Sequence, residues 1–278
     1  MSPRKYQSAP LAYINREFME GVHARPLRIL AEYYEPLVRF REKDVADTIV
    51  LFGSARIRSR EEALVNLRRA QKAGRSAAAK ARQREAKNAL AMSRYYEETR
   101  QLAARITEWA MTFGTHPRRF VICSGGGPGI MEAANRGAAE AGGKSVGLCI
   151  QLPKEQGGNR WITPELNINF HYFFMRKLWF SSLAKALIVF PGGLGTMDEF
   201  WEMLTLAQTG KMKRTLILIY GRRYWDQVLN FRAMVRWGTI NEREFQMLQF
   251  ADTVPEAFER VKSWMEKYHL EVSSEWLE

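Results

Sequence analysis

Three glycine-bearing segments carry the residues best suited to chemistry: Gly53-Ser54-Ala55-Arg56, Gly125-Gly126-Gly127-Pro128-Gly129 and Pro191-Gly192-Gly193-Leu194-Gly195-Thr196. Glycine permits tight turns and lets backbone N–H groups approach an anion closely. A helix that follows adds unpaired N–H groups and a favourable dipole, so a phosphate is the natural ligand. Any one such loop also reads as a plain strand-to-helix turn; the argument lies in having three. The spacing does not fit a dinucleotide fingerprint, because Gly125-x-Gly127 is followed by Ile130 where a third glycine belongs. No acidic residue ends the next strand to hold a ribose hydroxyl, and no Walker A segment is present. A mononucleotide therefore fits better than NAD or ATP with magnesium. Beyond the third loop stands a carboxylate, Glu199. Upstream, Arg176 and Lys177 open an otherwise apolar helix in Phe-His-Tyr-Phe-Phe-Met-Arg-Lys-Leu-Trp-Phe.

These loops need strands and helices to hold them. Apolar runs at 48–52, 120–123, 145–152, 186–190, 215–220 and 246–250 read as strands. Helices are expected at about 130–141, 173–185, from the third loop to 208, at 224–237 and at 255–269. Continuous apolar strands alternating with amphipathic helices predict a Rossmann-like, doubly wound parallel α/β sheet covered on both faces. In such a sheet, ligands bind outside the carboxyl ends of the strands, where all three glycine loops fall. Residues 1–45 read as a helical N-terminal extension, broken at Pro26 and Pro36. Residues 46–270 read as one nucleotide-binding domain and 271–278 as a tail. Within the domain, residues 58–100 form a helical insertion rich in Ala, Arg and Lys, with a turn expected at Gly74 and Ser76.

The chain has 278 residues, 46% hydrophobic, enough for a substantial core. Its net charge is +12. The insertion holds 12 Lys/Arg against 5 Glu, a net of +7, more than half of that excess. No run of 18 apolar residues argues for a membrane span, and residues 1–18 lack the apolar core of a secretory signal, so a cytoplasmic protein is expected. Cys123 and Cys149 sit in apolar runs and read as buried thiols. Four histidines and two cysteines show no ligand spacing, so no metal site is expected.

The segments GGGPGIMEAAN, FHYFFMRK and PGGLGTMDE together resemble the LONELY GUY (LOG) family of nucleotide phosphoribohydrolases, members of which have also carried a lysine decarboxylase label. The resemblance covers roughly residues 46–57 and 101–268. It implies hydrolysis of the N-glycosidic bond of a nucleoside 5′-monophosphate, AMP or a cytokinin riboside monophosphate, to free base and ribose 5-phosphate, with no cofactor. It places the catalytic pair on Arg176 and Glu199. It assigns substrate contacts to Lys177 and Thr205, and to Glu155 and Asn159 of Leu152-Pro-Lys-Glu-Gln-Gly-Gly-Asn159. Substrate binding is further expected from Gly53, Ser54, Gly126, Gly127, Gly129, Gly192, Gly193, Gly195 and Thr196. The chemistry agrees with the residue types. Breaking a ribosyl bond develops oxocarbenium-like charge, which a carboxylate stabilises while orienting water. A guanidinium fork suits phosphate or sugar oxygens.

The resemblance also implies a homodimer or a higher oligomer. The alternative function is a non-catalytic nucleotide-sensing or nucleic-acid-associated protein, with the +7 segment as the contact. A solvated helical face is the preferred reading of that segment. A pyridoxal-phosphate decarboxylase finds no support, since no lysine stands with a partner acid for the pyridine ring.

Overall fold

The computed structural model describes residues 9–72, 74, 76–114, 116–152, 157–212 and 214–270. The chain opens with α1 (Arg16–Glu20) and α2 (Arg25–Glu42), with Pro26 in the first turn of α2 and Pro36 inside it. Then follow β1 (Thr48–Phe52), α3 (Arg60–Gln71), α4 (Ala77–Met111), β2 (Val121–Ser124), α5 (Ile130–Glu140), β3 (Ser145–Ile150) and β4 (Asn167–Phe170). The remainder is α6 (Phe173–Leu183), β5 (Ala184–Val189), α7 (Leu194–Gln208), β6 (Leu216–Tyr220), α8 (Arg222–Val228), α9 (Phe231–Arg236), α10 (Glu242–Gln246), β7 (Leu248–Ala251) and α11 (Val254–His269).

The strands form one seven-stranded sheet in the order β4-β3-β2-β1-β5-β6-β7, parallel throughout. β1 is central: Val50 aligns with Cys123 on one side and Leu187 on the other. Its five residues are all buried, as a strand covered on both faces requires. Side chains alternate between the faces. Val50 and Phe52 join Trp179, Phe180, Phe200 and Trp225 in one core layer. Ile49 and Leu51 join Tyr96, Leu102, Ile106, Ala133 and Val261 in the other. Thus α6, α7 and α8 cover one face, and α4, α5 and α11 cover the opposite one.

The expected doubly wound sheet is present, with differences in detail. β4 has no counterpart among the predicted strands. Its sequence, Asn-Ile-Asn-Phe, buries Ile168 and Phe170 and leaves Asn169 exposed, so it is a half-polar edge strand without a continuous apolar run. The helix expected at 224–237 is two helices. Leu229 leaves the helical region, and the Asn230 side chain caps α9 by accepting from Ala233 N at 2.9 Å. The turn expected at Gly74 and Ser76 separates α3 from α4, and Ser76 Oγ caps α4 by accepting from Ala79 N.

Candidate active site

The chain order reverses at the β1/β5 pair, and a cleft of about 850 Å³ opens there, outside the carboxyl ends of the strands. The loops after β1, β2 and β5 form its floor. They are bonded to one another: Ser54 N donates to Pro191 O at 3.0 Å, and Ile130 N donates to Ser54 O at 3.2 Å.

A buried polar network shapes the loop after β2. Ser124 Oγ accepts from Gly126 N at 3.0 Å and donates to Asn135 Oδ1 at 2.7 Å. Asn159 Nδ2 lies 3.1 Å from both Gly126 O and Gly127 O and 2.9 Å from Asn135 Oδ1. Gly126 has φ +73°, and a Cβ there would collide with Cys149 Sγ. This glycine serves packing. Gly193 and Gly195 differ: a Cβ on either would meet nothing within 4 Å. Gly193 is the N-cap of α7 and offers no side-chain cap. The first N–H groups of α7 therefore face the cleft uncapped, as an anion site requires.

Arg176 and Glu199 meet across the cleft wall. Arg176 extends from α6, and its Nε donates to Leu148 O at 2.8 Å while its guanidinium covers the Phe180 ring. One guanidinium nitrogen stands 3.7 Å from Glu199 Oε1. Glu199 is 7% exposed and receives no hydrogen bond from a described residue. Burial raises its carboxyl above the ordinary glutamate value, and the opposing pull of Arg176, then Lys177, is the smaller effect. Burial likewise pushes the Cys149 thiol up to about 11, so this cleft residue is a protonated thiol at neutral pH.

The structure brings Gly53, Ser54, Gly126, Gly127, Gly192, Gly193, Gly195 and Thr196 to the cleft with Arg176 and Glu199. Four expected contacts lie elsewhere. Lys177 is not among the lining residues; its Nζ bonds Asp198, at the edge of the cleft, at 3.0 Å and Glu202 at 2.9 Å. Thr205 is exposed on α7, and its hydroxyl donates to Trp201 O at 2.8 Å. The donors of Asn159 are taken by the loop it braces. Gly129, at φ +70°, packs beneath the Ser54 carbonyl. Glu155 lies outside the described residues. Among the described residues, no group of three His, Cys, Asp or Glu is placed to hold a metal.

The cleft also contains residues that the sequence reading passed over. Tyr224 of α8 donates its hydroxyl to Gly192 O at 2.8 Å and so steadies the third loop. Phe173, Met131, Asn88 and Met92 line the walls. Only the fold brings these distant segments together; no local motif marks them.

Comparison with known proteins agrees with the motif reading. The family described as "Possible lysine decarboxylase" matches residues 131–261. The cytokinin riboside 5′-monophosphate phosphoribohydrolase of Rhodococcoides fascians is 28% identical over 115 residues, 40% of this chain and 56% of that protein. The enzyme of the same name, LOG, from Oryza sativa subsp. japonica is 27% identical over 153 residues, 54% of this chain and 62% of its own length. The match therefore spans little more than half of these relatives. Among solved structures, the molybdenum cofactor carrier protein of Chlamydomonas reinhardtii aligns with 79% of this chain and 98% of its own, at 16% identity and a TM-score of 0.42. The family match and the two sequence relatives extend the resemblance to the LONELY GUY family beyond the short motifs that first suggested it.

Proposed function

We propose that this LONELY GUY-like chain hydrolyses the N-glycosidic bond of a nucleoside 5′-monophosphate, releasing free base and ribose 5-phosphate. The observation that carries the reading is the Arg176–Glu199 pair, 3.7 Å apart in a cleft whose floor includes the open backbone at Gly193 and Gly195.

In this reading the 5′-phosphate binds the uncapped N-terminus of α7, where N–H groups and the helix dipole favour an anion. That binding energy fixes the ribose against the wall of the cleft. As the bond from C1′ to the base nitrogen breaks, its electron pair leaves with the base and positive charge grows on the sugar. Glu199, buried and receiving no hydrogen bond from the described residues, stabilises that charge and orients the water that attacks C1′. The water supplies hydroxyl to C1′ and, in balance, a proton to the base. Arg176, held by Leu148 O, positions phosphate or sugar oxygens, and its charge favours the ionised form of Glu199 against burial. AMP and a cytokinin riboside monophosphate are the substrates of choice. The exposed apolar side chains of Phe173, Phe174, Leu178 and Leu194 beside the cleft support a homodimer or a higher oligomer.

The test is incubation of the purified protein with AMP and with isopentenyladenosine monophosphate, followed by chromatography for free base. Glu199→Gln is expected to bind the nucleotide as the parent does and to release no base. Full activity in Glu199→Gln would overturn the assignment. Tight binding with no release by the parent protein would favour a nucleotide sensor instead.

A further inference from the structure

α4 runs past the sheet. Met92 borders the cleft at the carboxyl ends of the strands, whereas Thr107, Ala110 and Met111 border a pocket beside Arg118 and Val121, at the amino end of β2. The fifteen residues from Ala77 to Ala91 therefore rise beyond the carboxyl edge for roughly 20 Å, at 1.5 Å per residue. α3 packs against this segment to make a two-helix arm. Ala63 and Ala79 are buried in the pair, Leu64, Leu67 and Leu90 are half-buried, and Gln83 Nε2 bonds Ala70 O at 3.2 Å.

The arm carries the chain's charge on the surfaces it does not use for packing. Arg68, Arg69 and Lys72 share the side of α3 opposite Ala63, Leu67 and Ala70. Lys80, Arg84 and Lys87 follow an i, i+4, i+7 pattern and form one stripe along α4. All six are exposed, and among the described residues no ion pair neutralises them. The arm's acids are few: Glu61 and Glu62 sit in the first turn of α3, with Glu61 on the side of Arg68 and Lys72 but roughly 10 Å along the helix from Arg68, and Glu85 faces another side of α4. The stripe is also distinct from the cleft-facing residues Asn88, Ala89 and Met92.

We propose that the α3–α4 arm binds the phosphodiester backbone of a nucleic-acid duplex without reading its sequence. Rows of cations on two packed helices match a regular array of phosphates, and the counterions they release supply the affinity. The arm presents no aromatic side chain above Met92 on which an unpaired base could stack, which favours a duplex over a single strand. Its exposed face is unsuited to a membrane: Val65 is the one large apolar side chain exposed between Arg60 and Ala91 among the described residues, and Leu64, Leu67 and Leu90 are half-buried. This inference is independent of the nucleotide chemistry in the cleft.

The test is fluorescence anisotropy of the full chain with 20-base-pair DNA and RNA duplexes of two unrelated sequences, over 50–200 mM salt. Binding to either duplex is expected, equal for the two sequences, with log K falling against log salt at a slope of roughly −4 to −5 for about five phosphate contacts. R68Q/R69Q/K72Q/K80Q/R84Q/K87Q is expected to bind at least a hundredfold more weakly at 50 mM salt while still releasing base as the parent does. The half-set K80Q/R84Q/K87Q, which leaves α3 untouched, is expected to lose about half of the slope. No duplex binding at 50 mM salt, binding unchanged in the six-residue variant, or tighter binding to phosphatidylserine vesicles than to either duplex would overturn the proposal.

Discussion

Asp47 and Glu199 are both buried acids that face an arginine, at opposite edges of one sheet. Asp47 precedes β1 at the amino edge and is 0% exposed. Arg119 Nε donates to it at 2.6 Å, and Phe120 N donates to its other oxygen. Every feature of that pair is closed. Glu199 stands at the carboxyl edge, 3.7 Å from its arginine, without hydrogen bonds from described residues and beside an open cleft. A saturated carboxylate holds two elements together. An unsaturated one, kept in place by burial and a single cation, is available to a ligand. The contrast separates two uses of the same pair of residue types, and motif spacing alone does not reveal it.

The comparison breaks down if exchanging the two acids has similar consequences. Glu199→Gln is expected to lower base release at least a thousandfold, about 4 kcal/mol of transition-state stabilisation. Its melting temperature should stay the same or rise. The sign follows from the raised carboxyl: the folded state holds the Glu199 proton more tightly than the unfolded chain does. That stabilisation is full below the ordinary glutamate value and is lost as pH rises through the folded one. Once ionised, the group therefore costs stability that an amide does not. Asp47→Ala is expected to do the reverse. It strands Arg119 and the Phe120 N–H, lowering stability by about 3–5 kcal/mol in denaturant titration, with turnover per folded molecule unchanged.

Smaller effects sharpen the same picture. Asn159→Ala should destabilise by about 1–3 kcal/mol, because the Gly127 carbonyl loses its donor and the Gly126 carbonyl keeps only the backbone N–H of residue 159, and should raise KM as the loop loosens. The pH profile of kcat should fall on the acid side with a midpoint above the ordinary glutamate value, and Glu199→Gln has too little turnover to show that limb. Lys177→Ala should change stability by less than about 1 kcal/mol, since its partners Asp198 and Glu202 are well exposed, and kcat by only a few-fold. A thousandfold loss at Lys177 would add that residue to the catalytic set.

Much of this was legible in the chain because the central strands announce themselves. β1, β5 and β6 are continuous apolar runs, and the three glycine loops fall where β1, β2 and β5 end. β4 was illegible because an edge strand buries only alternate residues and offers no apolar run. The break between α8 and α9 depends on the Asn230 cap, which helical periodicity does not register. In the site, the Arg176–Glu199 meeting was legible from the motifs, whereas the motifs do not say which way Lys177, Thr205 and Asn159 turn. Lys177 neighbours Arg176 in sequence, but adjacent helical residues point in different directions, and Lys177 turns to the acids of α7. Thr205 lies on the same helix as Glu199, yet on its exposed side. Asn159 reaches into the right region and is consumed there by backbone carbonyls. Tyr224 belongs to the site through a helix distant in sequence, so only the tertiary arrangement reveals it.

The central claim is that the Arg176–Glu199 cleft cleaves the bond between ribose and base, and the identity of the products from AMP tests it most directly. Mass spectrometry of the reaction mixture is expected to show adenine and ribose 5-phosphate in equal amounts, with neither formed by Glu199→Gln. Adenosine with inorganic phosphate as the products, or adenine formed equally by Glu199→Gln, would contradict it.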